Sequence, residues 1–182
     1  MTQAGKIDNT DIESKINLRK QTVKDLPVAN VLDLFAGESK LWGQIPHNNY
    51  LGFEIQKNKS KNVHADNLRA IPSLDLSKFN VIDIDGYGTP FEQVIALFEN
   101  ETLKSGTVCI YTFIFGGLMY SYPKIVIEKY KLRNFYKIFR AHFNAIAINY
   151  FYDILFSRGI KSVCEYSIKQ SYEKRYGYFV IP

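Results

Sequence analysis

Short apolar runs alternate with polar segments along most of the chain, and each run ends in glycine or a polar residue. Five such runs follow one another between residues 30 and 113, with helix-forming stretches between several of them. Because parallel strands need long crossovers, this spacing predicts a mostly parallel α/β sheet. The predicted strands are Val31–Phe35, Tyr50–Ile55, Asn62–Ala65, Phe79–Ile84 and Thr107–Phe113.

The last part of the chain has a different pattern. Two strand-like runs, Ser162–Ile168 and Tyr176–Ile181, are separated only by the charged stretch Gln170–Arg175. A connection this short predicts an antiparallel hairpin. The expected fold is therefore a Rossmann-like α/β domain, with a mostly parallel seven-stranded sheet closed by an antiparallel C-terminal hairpin and helices on both faces.

Two helices are predicted with defined positions. Thr89 is a good N-cap and Pro90 suits the first helical position, so a helix should run from there to about Asn100. A longer helix is predicted over Tyr136–Phe156.

The chain of 182 residues is expected to form one domain. Residues 1–28 are predicted to be a polar, partly helical N-terminal extension, because their apolar positions are too sparse for a strong amphipathic stripe. Residues 29–182 would form the domain proper. Residues 115–135, between the fifth strand and the long helix, would be an insertion or cap.

Composition excludes several classes of protein. No apolar run approaches the roughly 20 residues of a membrane span, and the first 20 residues do not resemble a secretion signal. Cys109 and Cys164 lie in apolar runs, which predicts buried free thiols in a reducing, cytoplasmic environment. No metal site is expected, because the three histidines are scattered and form no cluster with cysteine.

Polar or glycine residues follow the first four predicted strands. Gly37 follows the first strand, so the backbone could pass close to a ligand there. Glu54 ends the second strand, 17 residues after Gly37. Asp66 and Asn67 follow the third strand, and Asp85 follows the fourth. Carboxyl ends of strands are where open α/β sheets bind ligands, so these loops predict one binding site.

The residues of Val31–Gly37 resemble motif I of the class I S-adenosylmethionine-dependent methyltransferases, with Ser39 at the position of a usual second glycine. The stretch Asp85–Pro90 lies where the amino-directed members carry an Asp/Asn-Pro-Pro-aromatic signature, and it departs from that signature, with Gly86 for the first proline and the aromatic residue third rather than fourth. It is most similar to the Asp-Pro-Phe-Gly-Ser-Pro stretch of tRNA guanine-N2 dimethyltransferases, with Gly86 for proline, Tyr87 for phenylalanine and Thr89 for serine.

The resemblance implies S-adenosylmethionine as cofactor and assigns roles to individual residues. Glu54 would bind the ribose hydroxyls, and Asp66, with Asn67 beside it, the adenine amino group. The cofactor-binding residues implied in full are Asp33, Phe35, Ala36, Gly37, Glu54, Asp66, Asn67 and Asp85.

The same resemblance implies how an acceptor amine would be held. Asp85 would accept a hydrogen bond from the amine, the backbone carbonyl near Gly86 would accept the second hydrogen, and Tyr87 would stack on a base. Asp83 is expected to be structural or close to the cofactor.

Positive charge is concentrated in residues 116–142. This segment holds six basic residues and one acidic residue, while the whole chain has a net charge of +5. Aromatic residues interleave with the basic ones, as is typical of surfaces that contact phosphates and stack on bases. Lys129, Lys131 and Arg133 are the predicted nucleic-acid contacts. A solvated basic helix face over an aromatic core would give the same pattern.

Three functions are consistent with these features. The first is methylation of an exocyclic amine in RNA or DNA. The second is methylation of a small molecule or a protein, in which case the basic segment is ordinary surface. The third is a non-catalytic binding module on a decayed methyltransferase fold, which the serine at 39 and the glycine at 86 would favour.

Overall fold

The structure is a computed structural model that describes residues 12–56, 62–86, 88–114, 123–132, 140–169 and 173–182. Seven strands form one sheet, in the order β3-β2-β1-β4-β5-β7-β6. The strands are β1 (Asn30–Asp33), β2 (Asn49–Glu54), β3 (Val63–His64), β4 (Val81–Ile84), β5 (Val108–Ile114), β6 (Val163–Lys169) and β7 (Glu173–Val180). The helices are α1 (Ile12–Val23), α2 (Asn67–Ala70), α3 (Phe91–Glu99), α4 (Lys124–Lys129) and α5 (Arg140–Ser157).

The first five strands pair in parallel, whereas β7 pairs antiparallel with both β5 and β6. This confirms the predicted mostly parallel sheet with an antiparallel hairpin. The strand order reverses at β1, which lies between β2 and β4. Residues that follow β1 and β4 are therefore at the switch point of the sheet, where open α/β folds have their binding crevice.

Alternation along the strands divides the core into two layers. Leu32, Ile82 and Cys109 face the larger layer, which α3 and α5 cover. Val31 and Val81 face the smaller layer, which contains α1 and the indole of Trp42. Helices thus lie on both faces of the sheet, as predicted, and α1 covers a face of the sheet rather than standing apart from it.

Several boundaries differ from the sequence predictions. The third helix begins at Phe91, one residue later than expected, and Pro90 rather than Thr89 is its cap residue, without a side-chain hydrogen bond. The predicted turn over 170–175 is too long, because β7 begins at Glu173. Glu173 pairs with β6, and Lys174 and Arg175 pair with both β5 and β6, so these ladders hold the charged residues in the strand.

Two further sequence predictions can be compared with the structure. Both cysteines are free, but only Cys109 is buried, while Cys164 is half-buried on β6. The long predicted helix is present as α5, and the predicted first turn at Tyr136 lies outside the described residues.

Candidate active site at the carboxyl edge of the sheet

The predicted site residues of four strands lie at one edge of the sheet. Asp33 is the last residue of β1 and Glu54 the last of β2, while Asp66 follows β3 and Asp85 follows β4. Parallel pairing places all four strand ends on the same side. The parallel topology therefore brings together the loops that sequence reasoning selected.

The loop after β1 has the tight, glycine-dependent shape that its sequence suggested. The Phe35 amide donates to the Asp33 carboxylate at 3.0 Å, and the Ala36 amide donates to the Phe53 carbonyl at 2.9 Å. Gly37 has φ of 54°, in the left-handed region that favours glycine. Ser39 has φ of 58°, so the residue at the usual second-glycine position keeps a conformation typical of glycine.

Three side chains that the sequence analysis did not select hold this loop. The Ser39 hydroxyl donates to the Asn62 side-chain carbonyl at 2.8 Å, and the Asn62 amide donates to the Gly37 carbonyl at 2.8 Å. The Tyr50 hydroxyl lies 2.9 Å from Asp33 Oδ2 and 3.1 Å from Ser39 Oγ. Gly52 is required beneath them, since a Cβ there would lie 2.6 Å from Asn62 Oδ1.

Glu54 is half-buried at the end of β2. Its carboxylate accepts the backbone amide of Gln56 at 2.9 Å, which fixes the side chain at the strand end. The following residue, Ile55, is 66% exposed. The Glu54 carboxylate could accept hydrogen bonds from two ribose hydroxyls. The exposed Ile55 side chain beside it could contact an adenine ring.

Asp66 and Asn67 have clear structural contacts. Asp66 is the N-cap of α2 and accepts the Leu68 amide at 3.0 Å. Asn67 is buried, and its amide donates to the Leu34 carbonyl at 2.6 Å and accepts from Gln93 at 3.3 Å. The Asn67 side chain is thus turned into the protein, where it ties α2 to the loop after β1.

Asp85 is held by two cations from α1. Lys15 Nζ lies 2.8 Å from Asp85 Oδ1, and Arg19 Nη2 lies 2.9 Å from Asp85 Oδ2. The Thr112 hydroxyl donates to Oδ1 at 2.7 Å. Both carboxylate oxygens of the predicted amine-orienting residue are therefore engaged by the protein itself, and its side chain is only 5% exposed.

Asp83 lies two residues earlier on the same face and is fully buried. Arg19 forms a two-pronged ion pair with it, at 2.7 and 3.0 Å, and the Trp42 indole donates to Oδ2 at 2.6 Å. Asp83 thus joins β4, α1 and the loop after β1. These contacts fit the structural role expected of it.

The acids of this cluster differ in protonation. Burial, together with the neighbouring Asp83, raises the pKa of Asp33 to about 8. Burial would also raise the pKa of Asp85, but the charges of Lys15 and Arg19 outweigh it and hold that pKa at about 2. At neutral pH the residue at the β4 edge is a carboxylate, while the residue at the β1 edge retains a proton.

The loop after β4 packs directly on the loop after β1. A Cβ on Gly86 would lie 2.8 Å from the Phe35 ring, so a larger residue here would require that ring to move. The Ile114 amide donates to the Gly88 carbonyl at 2.7 Å, which fixes the other end of the loop to β5. The position of the Phe35 ring therefore accounts for a glycine at 86. Tyr87 lies outside the described residues.

Part of the basic segment lies near the start of α3. Lys129 ends α4, and Lys131 follows it, exposed, with φ of 56°. Between them, Tyr130 packs edge-on against Tyr150 of α5, at 5.8 Å between centroids. Tyr150 in turn stacks on Phe91 at 5.9 Å. Phe91 begins α3, so this row of rings connects the end of α4, through α5, to the start of α3, while Arg133 lies outside the described residues.

Within the described ranges, no helix is long and apolar enough to cross a membrane. The same part of the chain holds no group of three or more histidine, cysteine, aspartate or glutamate side chains arranged to bind a metal ion.

Comparison of whole folds relates the chain to methyltransferases. A proposed methyltransferase from Escherichia coli superposes with a TM-score of 0.57 at 11% identity, covering 93% of this chain and 84% of that one. A proposed methylase from Haemophilus influenzae superposes with a TM-score of 0.55 at 11% identity, covering 93% of this chain and 97% of that one. A SAM-dependent methyltransferase from Archaeoglobus fulgidus superposes with a TM-score of 0.51 at 13% identity, covering 92% of each chain. No protein-family model and no curated protein sequence matches the chain. The chain therefore has the fold of these proteins.

Proposed function

We propose that this protein is an S-adenosylmethionine-dependent methyltransferase that acts on an exocyclic amine of a nucleic-acid base. The observation that carries the proposal is the convergence of the loops after β1, β2 and β4 at the switch point, on a fold shared with methyltransferases. In that crevice Gly37 provides a left-handed turn, Glu54 a carboxylate at the end of β2, and Asp85 an ionised carboxylate after β4.

Each group suits one part of the cofactor. The backbone after Gly37 would face the methionine carboxylate, Glu54 would accept the ribose hydroxyls, and Asp66 would accept the adenine amino group while it caps α2. The Leu68 amide uses Oδ1, so Oδ2 would accept the adenine amino group, and the exposed Arg69 side chain, whose Nε lies 3.7 Å from Oδ2, would have to turn aside. When bound, S-adenosylmethionine supplies an activated methyl group, so the protein's contribution is alignment and exclusion of water.

The acceptor would be held by the loop after β4. Asp85, ionised at neutral pH, would accept one N–H of the amine, and the Gly86 carbonyl the other, which would direct the nitrogen lone pair toward the methyl group. Tyr87 would stack on the base. The likeness of this loop to tRNA guanine-N2 dimethyltransferases favours a purine amine.

A nucleic-acid substrate is favoured by the basic segment. Lys129 and Lys131 are exposed, and Tyr130 between them is 42% exposed. Phosphate-binding cations beside an accessible ring suit a single-stranded or flipped base. With a small molecule or a protein as substrate, these side chains would have no such role.

Calorimetry with S-adenosylmethionine tests the cofactor. Glu54→Ala should weaken binding by on the order of 2 kcal/mol, or roughly 30-fold, since it removes a charge-assisted hydrogen-bond pair. Glu101→Ala is the matched control, because Glu101 is an exposed acid that precedes β5, at the opposite edge of the sheet. No binding by the wild-type protein would leave a decayed, non-catalytic module as the remaining reading.

Transfer of a tritiated methyl group to mixed cellular RNA, to DNA and to a protein extract tests the substrate class. Asp85→Ala should keep cofactor affinity but lower transfer by about 100-fold, because the amine is no longer aligned. Full activity in this variant would give Asp85 a purely structural role. Label found only in protein or small molecules would replace the nucleic-acid assignment by the second alternative.

A further inference from the structure

The two cations on Asp85 differ in how firmly they are held. Arg19 has a side chain 1% exposed, and it binds Asp83 with two nitrogens as well as Asp85. Lys15 has a side chain 21% exposed, and its ammonium reaches a carboxylate only at Asp85 Oδ1 among the ion pairs of the described residues. Arg19 is a fixed partner, whereas Lys15 reaches the site from solvent on a flexible four-carbon stem.

The position of the Lys15 ammonium has the features of an amine-binding site. Asp85 Oδ1 lies 2.8 Å from Nζ, and the buried Tyr176 ring lies 5.4 Å from it, in cation–π range. A carboxylate accepts hydrogen bonds from both ammonium ions and neutral amines, and an aromatic face adds an attraction for the cationic ones. Thr112 donates to the same Oδ1, which fixes the orientation of that oxygen.

We infer that Asp85 Oδ1 and the Tyr176 ring form a site for an amine, and that Lys15 and an external amine occupy it in turn. The inference rests on the proposed function in one respect, since it identifies the external ligand of turnover as the acceptor amine. The protein's own lysine closes the site in the ligand-free state. Entry of an acceptor requires only a rotation of the Lys15 side chain into solvent, while Arg19 keeps α1 on the sheet.

The exchange accounts for how an ion-paired carboxylate can orient a substrate. With Lys15 displaced, Asp85 still has Arg19 on Oδ2 and Thr112 on Oδ1. It therefore keeps one cationic partner and one hydrogen-bond donor that fix its direction, and one N–H donor can take the position that Nζ leaves. Arg19 and Thr112 are positioning residues in this arrangement, and Lys15 is a competitor of the substrate.

Chemical rescue of Lys15→Ala tests the amine site without any methyl transfer. The melting temperature of the variant is measured against methylammonium chloride and, at equal ionic strength, tetramethylammonium chloride. Methylammonium should raise it saturably by about 2 °C or more, because it can donate to Asp85, whereas tetramethylammonium has no N–H. Wild type and Lys24→Ala, which removes a lysine 62% exposed just beyond α1, should show no difference between the two salts.

The double variant Lys15→Ala/Asp85→Asn decides whether rescue occurs at Asp85, since it should lose the methylammonium response. Equal responses to the two salts, no response, or rescue that persists without the carboxylate would each overturn the inference. If Lys15→Ala does not fold, Lys15→Met retains the stem, and ammonium chloride replaces methylammonium as the probe.

Kinetics separate this inference from the proposed function. Lys15→Met should lower KM for the nucleic-acid acceptor several-fold and leave the affinity for S-adenosylmethionine unchanged, because a competitor has been removed. Rescue without any cofactor binding would retain the amine site and refute the methyltransferase proposal. Methyl transfer by wild type with no rescue and an unchanged KM in Lys15→Met would retain the methyltransferase and refute the competition.

Discussion

Individual residues at the carboxyl edge are constrained by contacts that their sequence motif does not reveal. The chain has glycine at 86 where the methyltransferase motif that it resembles has proline, and the sequence alone offers loss of function as one interpretation. In the structure the Phe35 ring fills the space of a side chain at 86. The close contact between two loops far apart in sequence accounts for the residue type through packing alone.

Gly86→Ala should destabilise the fold, because the new methyl group would overlap the Phe35 ring. A small-to-large change in such a contact costs about 1–3 kcal/mol. Urea unfolding measures it, and Gly43→Ala is the control, since a Cβ there meets no atom within 4 Å. Equal stability of the two variants would show that Phe35 moves aside without cost.

The raised pKa of Asp33 gives a second prediction at this scale. The pKa of about 8 lies above the usual value near 4, so the folded state binds this proton more tightly than the unfolded state. The contribution of the Asp33 proton to the free energy of unfolding is fully present below about pH 4. It is lost as pH rises toward 8, at up to about 1.4 kcal/mol per pH unit.

Urea unfolding at intervals between pH 5 and 8 should therefore show wild type losing stability as pH rises. Asp33→Asn should show a shallower fall, because it removes the group whose pKa is raised to about 8. The depressed pKa of Asp85 acts in the opposite sense and only at lower pH, because its stabilisation is lost as pH falls below about 4. Parallel profiles for wild type and Asp33→Asn would contradict the assignment.

At the scale of elements, strands were predictable and the first helix was only partly so. Most strands of the sheet contain an apolar run, and the positions of those strands follow from the run to within a few residues, whereas the charged first residues of β7 do not stand out in this way. Helix α1 packs on the sheet through buried Ile16 and Leu18 but also through buried Arg19. Because ion pairs replace part of its apolar stripe, hydrophobic periodicity does not reveal that the helix belongs to the core.

A signal for this helix did exist in the sequence. Strand alternation places Asp33, Asp83 and Asp85 on one face of neighbouring strands, and buried carboxylates need cationic partners. Lys15 and Arg19, four residues apart on one helix face, are candidates for such partners. The contacts of Asn62 and Tyr50 with the glycine loop had no comparable signal, because they depend on side-chain packing across β2.

Arg19→Met should detach α1 from the sheet edge, since it leaves Asp83 and Asp85 buried with one cation fewer. Loss of one partner of a buried ion pair costs about 3–5 kcal/mol. Urea unfolding measures the total loss in free energy of unfolding, and hydrogen exchange of the α1 amides shows whether the helix opens locally. Lys24→Met, which breaks a pair 3.9 Å long at an exposed site, should change stability by less than about 1 kcal/mol. Similar small losses in both variants would show that α1 is held by its apolar contacts.

At the scale of the molecule, basic residues of the described ranges lie at different places relative to the two edges of the sheet. The loops after β1, β2 and β4 lie at the carboxyl edge, and the described part of the basic segment, which includes α4, comes after β5 in the chain. Lys78, Lys104 and Lys161 precede β4, β5 and β6 and are therefore at the amino edge. Net charge alone favours an anionic partner anywhere on the surface, whereas the topology favours contact at one edge.

The final prediction follows from this asymmetry. If about three cations of the basic segment neutralise phosphates, the logarithm of the nucleic-acid binding constant should fall with the logarithm of salt concentration with a slope of about −2 to −3. Replacing Lys129, Lys131 and Arg133 together by glutamine should flatten this slope and leave the affinity for S-adenosylmethionine unchanged.

Replacing Lys78, Lys104 and Lys161 removes the same charge from the amino edge and should change the slope much less, because those side chains lie away from the site. Fluorescence anisotropy of a labelled RNA or DNA strand across a salt series measures both variants. An equal effect of the two triple variants would mean that nucleic acid responds only to net charge, and no binding by wild type would favour a small-molecule or protein acceptor.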